Sequence, residues 1–251
     1  SDHKIKKGQI ISAHDIAVLH DHQIAQVMIA RLEQGDVGEN EAAERLAQAL
    51  SGSGVRHEGP ATGRSNLFAM YDGVLRVNPN QIDAVNQVDE AVTVATLPNW
   101  RKVQHGEMIG TVKIIPFAVP RAVLDHCCDL AQQQEVLQVA PFTPKRVGLI
   151  ATTLPGLKAG VVRKTAEVLQ KRLSDCGSTL VENCLVPHEE TAVADAMIRI
   201  GPSVDLLILF GASAMTDRRD VLPVAIEQAG GRVLHFGMPV DPGNLLLLGE
   251  W

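Results

Sequence analysis

Asp205-Leu-Leu-Ile-Leu-Phe-Gly-Ala-Ser-Ala-Met-Thr-Asp-Arg-Arg-Asp-Val-Leu-Pro223 decides how the C-terminal part of the chain folds. Its apolar run, Leu206 to Phe210, is too short for a helix and reads as a buried strand. The strand opens into Gly211, Ala212, Ser213 and Ala214, small residues that allow a ligand to come close to the backbone. A helix is predicted from about Asp220, with Pro223 in its first turn, where a missing N–H costs nothing. Strand, loop and helix in that order form half of a parallel crossover unit.

The pattern repeats on both sides of this stretch. Strands are predicted at Val147 to Ala151, Thr179 to Leu185 and Arg232 to Phe236, alternating with helices at Val161 to Leu173, Glu190 to Ile200 and Val221 to Ala229. Such alternation implies a mostly parallel sheet with helices on both faces, an α/β three-layer sandwich over residues 145–251. A smaller α+β domain is expected over residues 1–138.

The N-terminal half is less regular. Gln9-Ile-Ile11 and Gln26 to Leu32 read as strands, on either side of a helix capped by Ser12 that carries Ile16, Ala17, Leu19 and His20. Ala42, Ala43, Leu46, Ala47 and Leu50 recur at helical spacing from Glu39 to Leu50. Apolar runs at Gly73 to Val77 and Ala91 to Leu97 flank a helical segment around Ile82 to Asn86. Gly110 to Val119 reads as a strand that lies at an edge or bends at Pro116, followed by a helix from Arg121 to about Gln134. Val139-Ala-Pro-Phe-Thr-Pro144 is expected to be a linker.

Composition excludes several classes of function. The 251 residues carry a formal charge of −6 and only 3% aromatic side chains, which argues against nucleic acid as a partner. No apolar run approaches the roughly 20 residues that cross a bilayer, and the basic N-terminus is not followed by the apolar core of an export signal. None of the four cysteines, Cys127, Cys128, Cys176 and Cys184, has zinc-site spacing, so free thiols in the cytoplasm are expected. His14, His20 and His22 lack the intervening glutamate of a metalloprotease motif. With neither a Ser-His-Asp order nor a nucleophile elbow, the sequence gives no support for hydrolysis through a covalent intermediate.

In parallel sheets, ligands gather at the carboxyl ends of the strands. After the strand ending at Phe210, free N–H groups and the hydroxyls of Ser213 and Thr216 suit a phosphate or carboxylate. Asp217 and Asp220 read either as acceptors for ring nitrogens, as metal ligands, or as helix caps. Arg218 and Arg219 read as an anion clamp or as surface ion pairs. Thr152 and Thr153 end the first strand as further donors. The turn Val186-Pro-His-Glu-Glu190 supplies acids, Glu189 among them, that read as ligand contacts or as the acidic first turn of a helix. Gly237-Met-Pro-Val-Asp-Pro-Gly-Asn-Leu245 follows the last of these strands and suits either a simple turn or a wrap around a ligand.

Three of these loops carry a resemblance. Gly211 to Asp220 is similar to a Gly-Gly-x-Ser/Thr-x-Gly-x-x-Asp loop, Val186 to Glu190 to a Val-Pro-Asp-Asp turn, and Asp241-Pro-Gly-Asn-Leu245 to a Lys-Pro-Gly-Lys-Pro loop. Together they resemble the molybdopterin-binding domain shared by molybdopterin molybdotransferases, adenylyltransferases and competence-damage proteins. The likeness covers the last two-fifths of the chain, with a weaker echo near Gly8 to Ile29. It is nearer to bacterial proteins in which this module precedes a nucleotidyltransferase domain of the molybdenum cofactor cytidylyltransferase type. Such a domain would follow Trp251, and the present chain would then be a truncated piece.

The resemblance implies a pterin ligand, molybdopterin or its nucleotide derivative, with Mg2+ as a further cofactor and a homo-oligomeric assembly. It implies contacts from Pro242, Gly243 and Asn244 in the last loop. Departures are equally specific. Thr152-Thr-Leu-Pro-Gly156 stands where the family has Thr-Gly-Asp-Glu, Ala212 replaces a glycine, and Asn244 replaces a lysine. Loss of that acid and that lysine points to binding in cofactor synthesis or delivery rather than to catalysis. An active transferase and a degenerate scaffold or regulatory domain are the alternatives.

Overall fold

The computed structural model describes Ile5, residues 9–156 and residues 159–251. It divides into two compact units, Ser1–Pro141 and Phe142–Trp251.

The first unit begins with α1 (Ala13–Asp21), where Ser12 and Asp15 form a reciprocal capping box. β1 (Asp36–Gly38) leads into α2 (Glu39–Leu50), followed by β2 (Val55–His57), β3 (Arg64–Ala69), β4 (Gly73–Val77) and α3 (Pro79–Asn86). Next come β5 (Val92–Thr96), β6 (Lys102–Val103), β7 (Met108–Ile114), β8 (Ala118–Pro120), α4 (Arg121–Gln132) and β9 (Leu137–Pro141). The strands form antiparallel sheets of order β2-β3-β7-β5 and β6-β4-β9, with β1 paired to β8. The apolar stripe of α2, Ala42, Ala43, Leu46, Ala47 and Leu50, is fully buried and joins Leu67, Leu75, Ile109, Leu124 and Leu137 in one continuous core. Arg45 of α2 ties to Asp125 of α4 at 2.6 Å. Cys127 lies in this core, where burial, reinforced by neighbouring Cys128, pushes its thiol up to about 11.

Four sequence expectations change here. Gln9-Ile-Ile11 and Gln26 to Leu32 are not strands; both are irregular, and Ile10 and Met28 are among the most exposed apolar side chains. An apolar, β-prone run becomes a strand only where a sheet edge is available to it. Gly110 to Val119 splits into β7 and β8 around Ile115-Pro116-Phe117, and β7 is a central strand between β3 and β5. Pro116 thus sits in the break, where no ladder N–H is needed. The expected linker at Val139 to Pro144 begins with strand residues, because β9 runs antiparallel to β4 as far as Pro141.

The second unit contains β10 (Arg146–Thr153), α5 (Ala159–Ser174), β11 (Thr179–Pro187), α6 (Glu190–Ile200), a 3-10 turn at Gly201–Ser203 and β12 (Leu206–Phe210). It ends with α7 (Val221–Gln228), β13 (Arg232–Phe236) and β14 (Leu247–Glu250). β10 is the central strand of a parallel sheet of order β11-β10-β12. Its two faces are packed differently. Leu149 meets Ala166 and Leu169 of α5, whereas Ile150 meets Val193 and Met197 of α6 and Leu222 and Ile226 of α7. Helices therefore cover both faces, as three layers require. The sheet is smaller than expected: β13 pairs antiparallel with β14 in a separate ribbon rather than extending the parallel ladder. Among the described residues, no helix is long and apolar enough to cross a membrane.

Candidate functional site

The parallel register sets the site. Thr152 of β10 lies opposite Val186 of β11, and Ala151 opposite Phe210 of β12, so all three strands deliver their next residues to the same edge. There a side chain at the end of β10 connects with side chains from the two connections after β11 and β12. Thr152 is buried, with 2% of its surface exposed, and its hydroxyl is the hub. It accepts from the N–H of Ala212 at 2.7 Å, lies 3.3 Å from the Phe210 carbonyl, and is 2.8 Å from Nδ1 of His188. The other imidazole nitrogen of His188, Nε2, is 2.9 Å from Oγ of Ser213.

The row can be protonated in two ways, one for each neutral tautomer of His188. A threonine hydroxyl has one proton to give and two lone pairs. With the proton on Phe210 and one lone pair filled by Ala212, Nδ1–H of His188 donates to the remaining lone pair. In this tautomer Nε2 accepts from the Ser213 hydroxyl; in the other, the Thr152 hydroxyl donates to Nδ1 and Nε2–H donates to Ser213. Ser213 is exposed, so this ordered row of bonds ends at the surface.

The loop beyond is held from its far end. Asp220 caps α7 by accepting from the N–H of Val221 at 2.7 Å, and its other carboxylate oxygen accepts from the N–H of Thr216 at 3.1 Å. Met215 packs against the Ile150 and Leu222 cluster. Between these anchors, the backbone N–H groups of Ser213, Ala214 and Met215 have no hydrogen bond among the described residues.

The remaining sequence candidates fall into different roles. Both Asp220 oxygens serve the loop itself, so of the readings proposed for this residue the structure shows the helix cap. Asp217 accepts from the N–H and guanidinium of Arg219, at 2.6 and 3.1 Å, and that pairing holds its carboxyl below the usual range. Arg219 is thus engaged with an acid, and Arg218 is exposed. Thr153 accepts through its carbonyl from the N–H of His188. Glu189 is the N-cap residue of α6 but makes no side-chain cap bond, and it is exposed.

Pro242, Gly243 and Asn244 lie in the β13–β14 connection, where the Asn244 carbonyl accepts from Met238 and the Asp241–Pro242 peptide is cis. No hydrogen bond among the described residues joins this connection to the Thr152, His188 and Ser213 row. No group of three or more His, Cys, Asp or Glu side chains suited to holding a metal ion is present among the described residues. Asp220 is a helix cap and Asp217 an ion-pair partner.

Sequence reasoning missed His188. It located the turn but took the acid Glu189 rather than the imidazole, because nothing local distinguishes a solvated histidine from one aimed at two hydroxyls. Pairing β10 with β11 in parallel, with Thr152 opposite Val186, would have placed His188 two residues beyond Thr152's partner at the same sheet edge. A cleft of about 660 Å³ lies elsewhere in this unit, between α5 and β11, lined by Val162, Ala166, Asn183 and Leu185.

No protein-family model matches the chain. None of the curated proteins compared with it matches either. Among solved structures, the crystal structure of a molybdopterin biosynthesis MoeA protein from Pyrococcus horikosii is similar over 85% of this chain and 71% of that one, with 14% identity and a TM-score of 0.31. At this level of similarity nothing is transferred from that protein to this one.

Proposed function

We propose that the C-terminal unit binds molybdopterin or its nucleotide derivative at the edge where β10, β11 and β12 end, and so takes part in synthesis or delivery of the molybdenum cofactor. The observation that supports it best is the loop after β12. Three consecutive N–H groups, of Ser213, Ala214 and Met215, have no partner among the described residues and lie beside the hydroxyls of Ser213 and Thr216. A run of free donors in a strand-to-helix loop suits a phosphate, the anionic end of such a pterin. His188 would hold the Ser213 hydroxyl in place, and the exposed Arg218 would add positive charge.

The donor set fits a phosphate better than it fits a metal, since Asp217 and Asp220 are already engaged. This favours binding over insertion of the metal. Fluorescence titration of the chain with molybdopterin tests the proposal. Saturable binding is expected, weakened about tenfold or more in Ser213→Ala because a hydrogen bond to a charged group is lost. Absence of binding, or equal affinity in the variant, would contradict it.

A further inference from the structure

The row ending at Ser213 has a chemistry separate from anion binding. A serine hydroxyl at 2.9 Å from an imidazole nitrogen, with the second ring nitrogen held at 2.8 Å by another hydroxyl, is the arrangement that activates a nucleophile. Its three members come from the end of β10 and from the connections after β11 and β12, on residues far apart in sequence, and the parallel register unites them. Thr152 is buried and braced by Ala212 and Phe210, so the imidazole is anchored from behind. Ser213 is solvent-facing, and the N–H of Ala214, the residue directly after it, is without a partner among the described residues. In acyl-transfer sites the amide after the nucleophile is a usual donor to the oxyanion.

We propose that Ser213 is a nucleophile for small carboxylic esters, with His188 as its general base and Thr152 as the residue that positions the imidazole. Ser213 Oγ bonds to the ester carbonyl carbon as its proton passes to Nε2 of His188. The tetrahedral oxyanion receives the N–H of Ala214. The carbon–oxygen bond to the alcohol then breaks, and the alcohol leaves with the proton from Nε2. Water adds to the acyl-serine, giving a proton to the same nitrogen. Release of the carboxylic acid returns that proton to Ser213, so water is the only co-reactant. Thr152 stays neutral throughout, and without a carboxylate behind the imidazole the base is weaker than in an aspartate-backed triad. Small neighbours, Ala212 and Ala214, and an open surface suit short acyl groups.

The proposal does not rest on pterin binding, because covalent labelling of the unliganded chain reports the hydroxyl alone. The full chain would be treated with diisopropyl fluorophosphate and mapped by mass spectrometry, then assayed with p-nitrophenyl acetate. One adduct on the Ser213 peptide and an acyl-enzyme burst are expected, both lost in Ser213→Ala. His188→Gln should slow labelling about 100-fold or more, as removal of a general base does. Thr152→Val should slow it and alter its pH profile, with Thr152→Ser restoring both. No adduct on Ser213 in the natively folded wild-type chain, or an unchanged labelling rate in His188→Gln, would overturn the proposal.

Discussion

One polar row of the second unit differs from the polar contacts of the first. In the first, buried or half-buried polar side chains close on their own surroundings. Asn86 both donates to and accepts from the backbone of Val94, at 2.9 and 2.7 Å, and Ser65 donates to the carbonyl of Glu58. In the second, the corresponding row starts inside at Thr152 and runs outward through His188 to an exposed hydroxyl. The first unit gathers one continuous core, whereas the second divides its apolar contacts between two small clusters on either side of β10. In open parallel sheets, ligands gather at the carboxyl ends of the strands, and the proposed site lies at that edge.

The sharpest way to break this contrast is to damage each interior. Leu67→Ala in the first unit and Ile150→Ala in the second each remove a fully buried side chain, and each should cost about 2–5 kcal/mol in denaturant unfolding. The loss in Leu67→Ala should leave the reactivity of Ser213 unchanged. The hub comes next. Thr152→Val keeps the shape but removes the acceptor for Ala212 and the partner of His188, for about 1–3 kcal/mol, whereas Thr152→Ser should lose little.

An alkaline pH scan of Cys127→Ala against the parent chain isolates one buried thiol of the first unit. The folded chain holds the Cys127 thiol protonated up to about 11, above its ordinary value of 9.0. This stabilisation is complete below the unfolded value and is lost as pH rises through the folded one, so stability should fall between those limits. Cys127→Ala should flatten the fall, seen as a smaller shift of the urea midpoint across that window. Asp220→Ala should cost about 1 kcal/mol as a lost helix cap, read by thermal unfolding. Smallest of all, removing the exposed guanidinium in Arg219→Ala should leave the thermal midpoint where it is.

Much of the second unit was legible because its elements are locally consistent. β12, β13 and α6 have the boundaries that apolar runs and turn residues implied, Leu206–Phe210, Arg232–Phe236 and Glu190–Ile200. The strands imagined at Gln9 to Ile11 and Gln26 to Leu32 failed because strand formation is decided by a partner edge, which propensity does not supply. The separate β13–β14 ribbon was hidden for the same reason, since a strand's direction and neighbours are properties of pairing. At the site, Thr152 and Ser213 were visible as donors at strand ends. His188 was not, because its role exists only through two hydroxyls brought from elsewhere in the chain.

Amide chemical shifts, followed as molybdopterin is titrated into the isotope-labelled chain, test the placement of function at this strand edge most directly. The largest shifts are expected at Ser213, Ala214, Met215 and Thr216, with His188 following, while the first unit stays unmoved. Shifts centred on the α5–β11 cleft or within the first unit, or no shifts at saturating ligand, would contradict it.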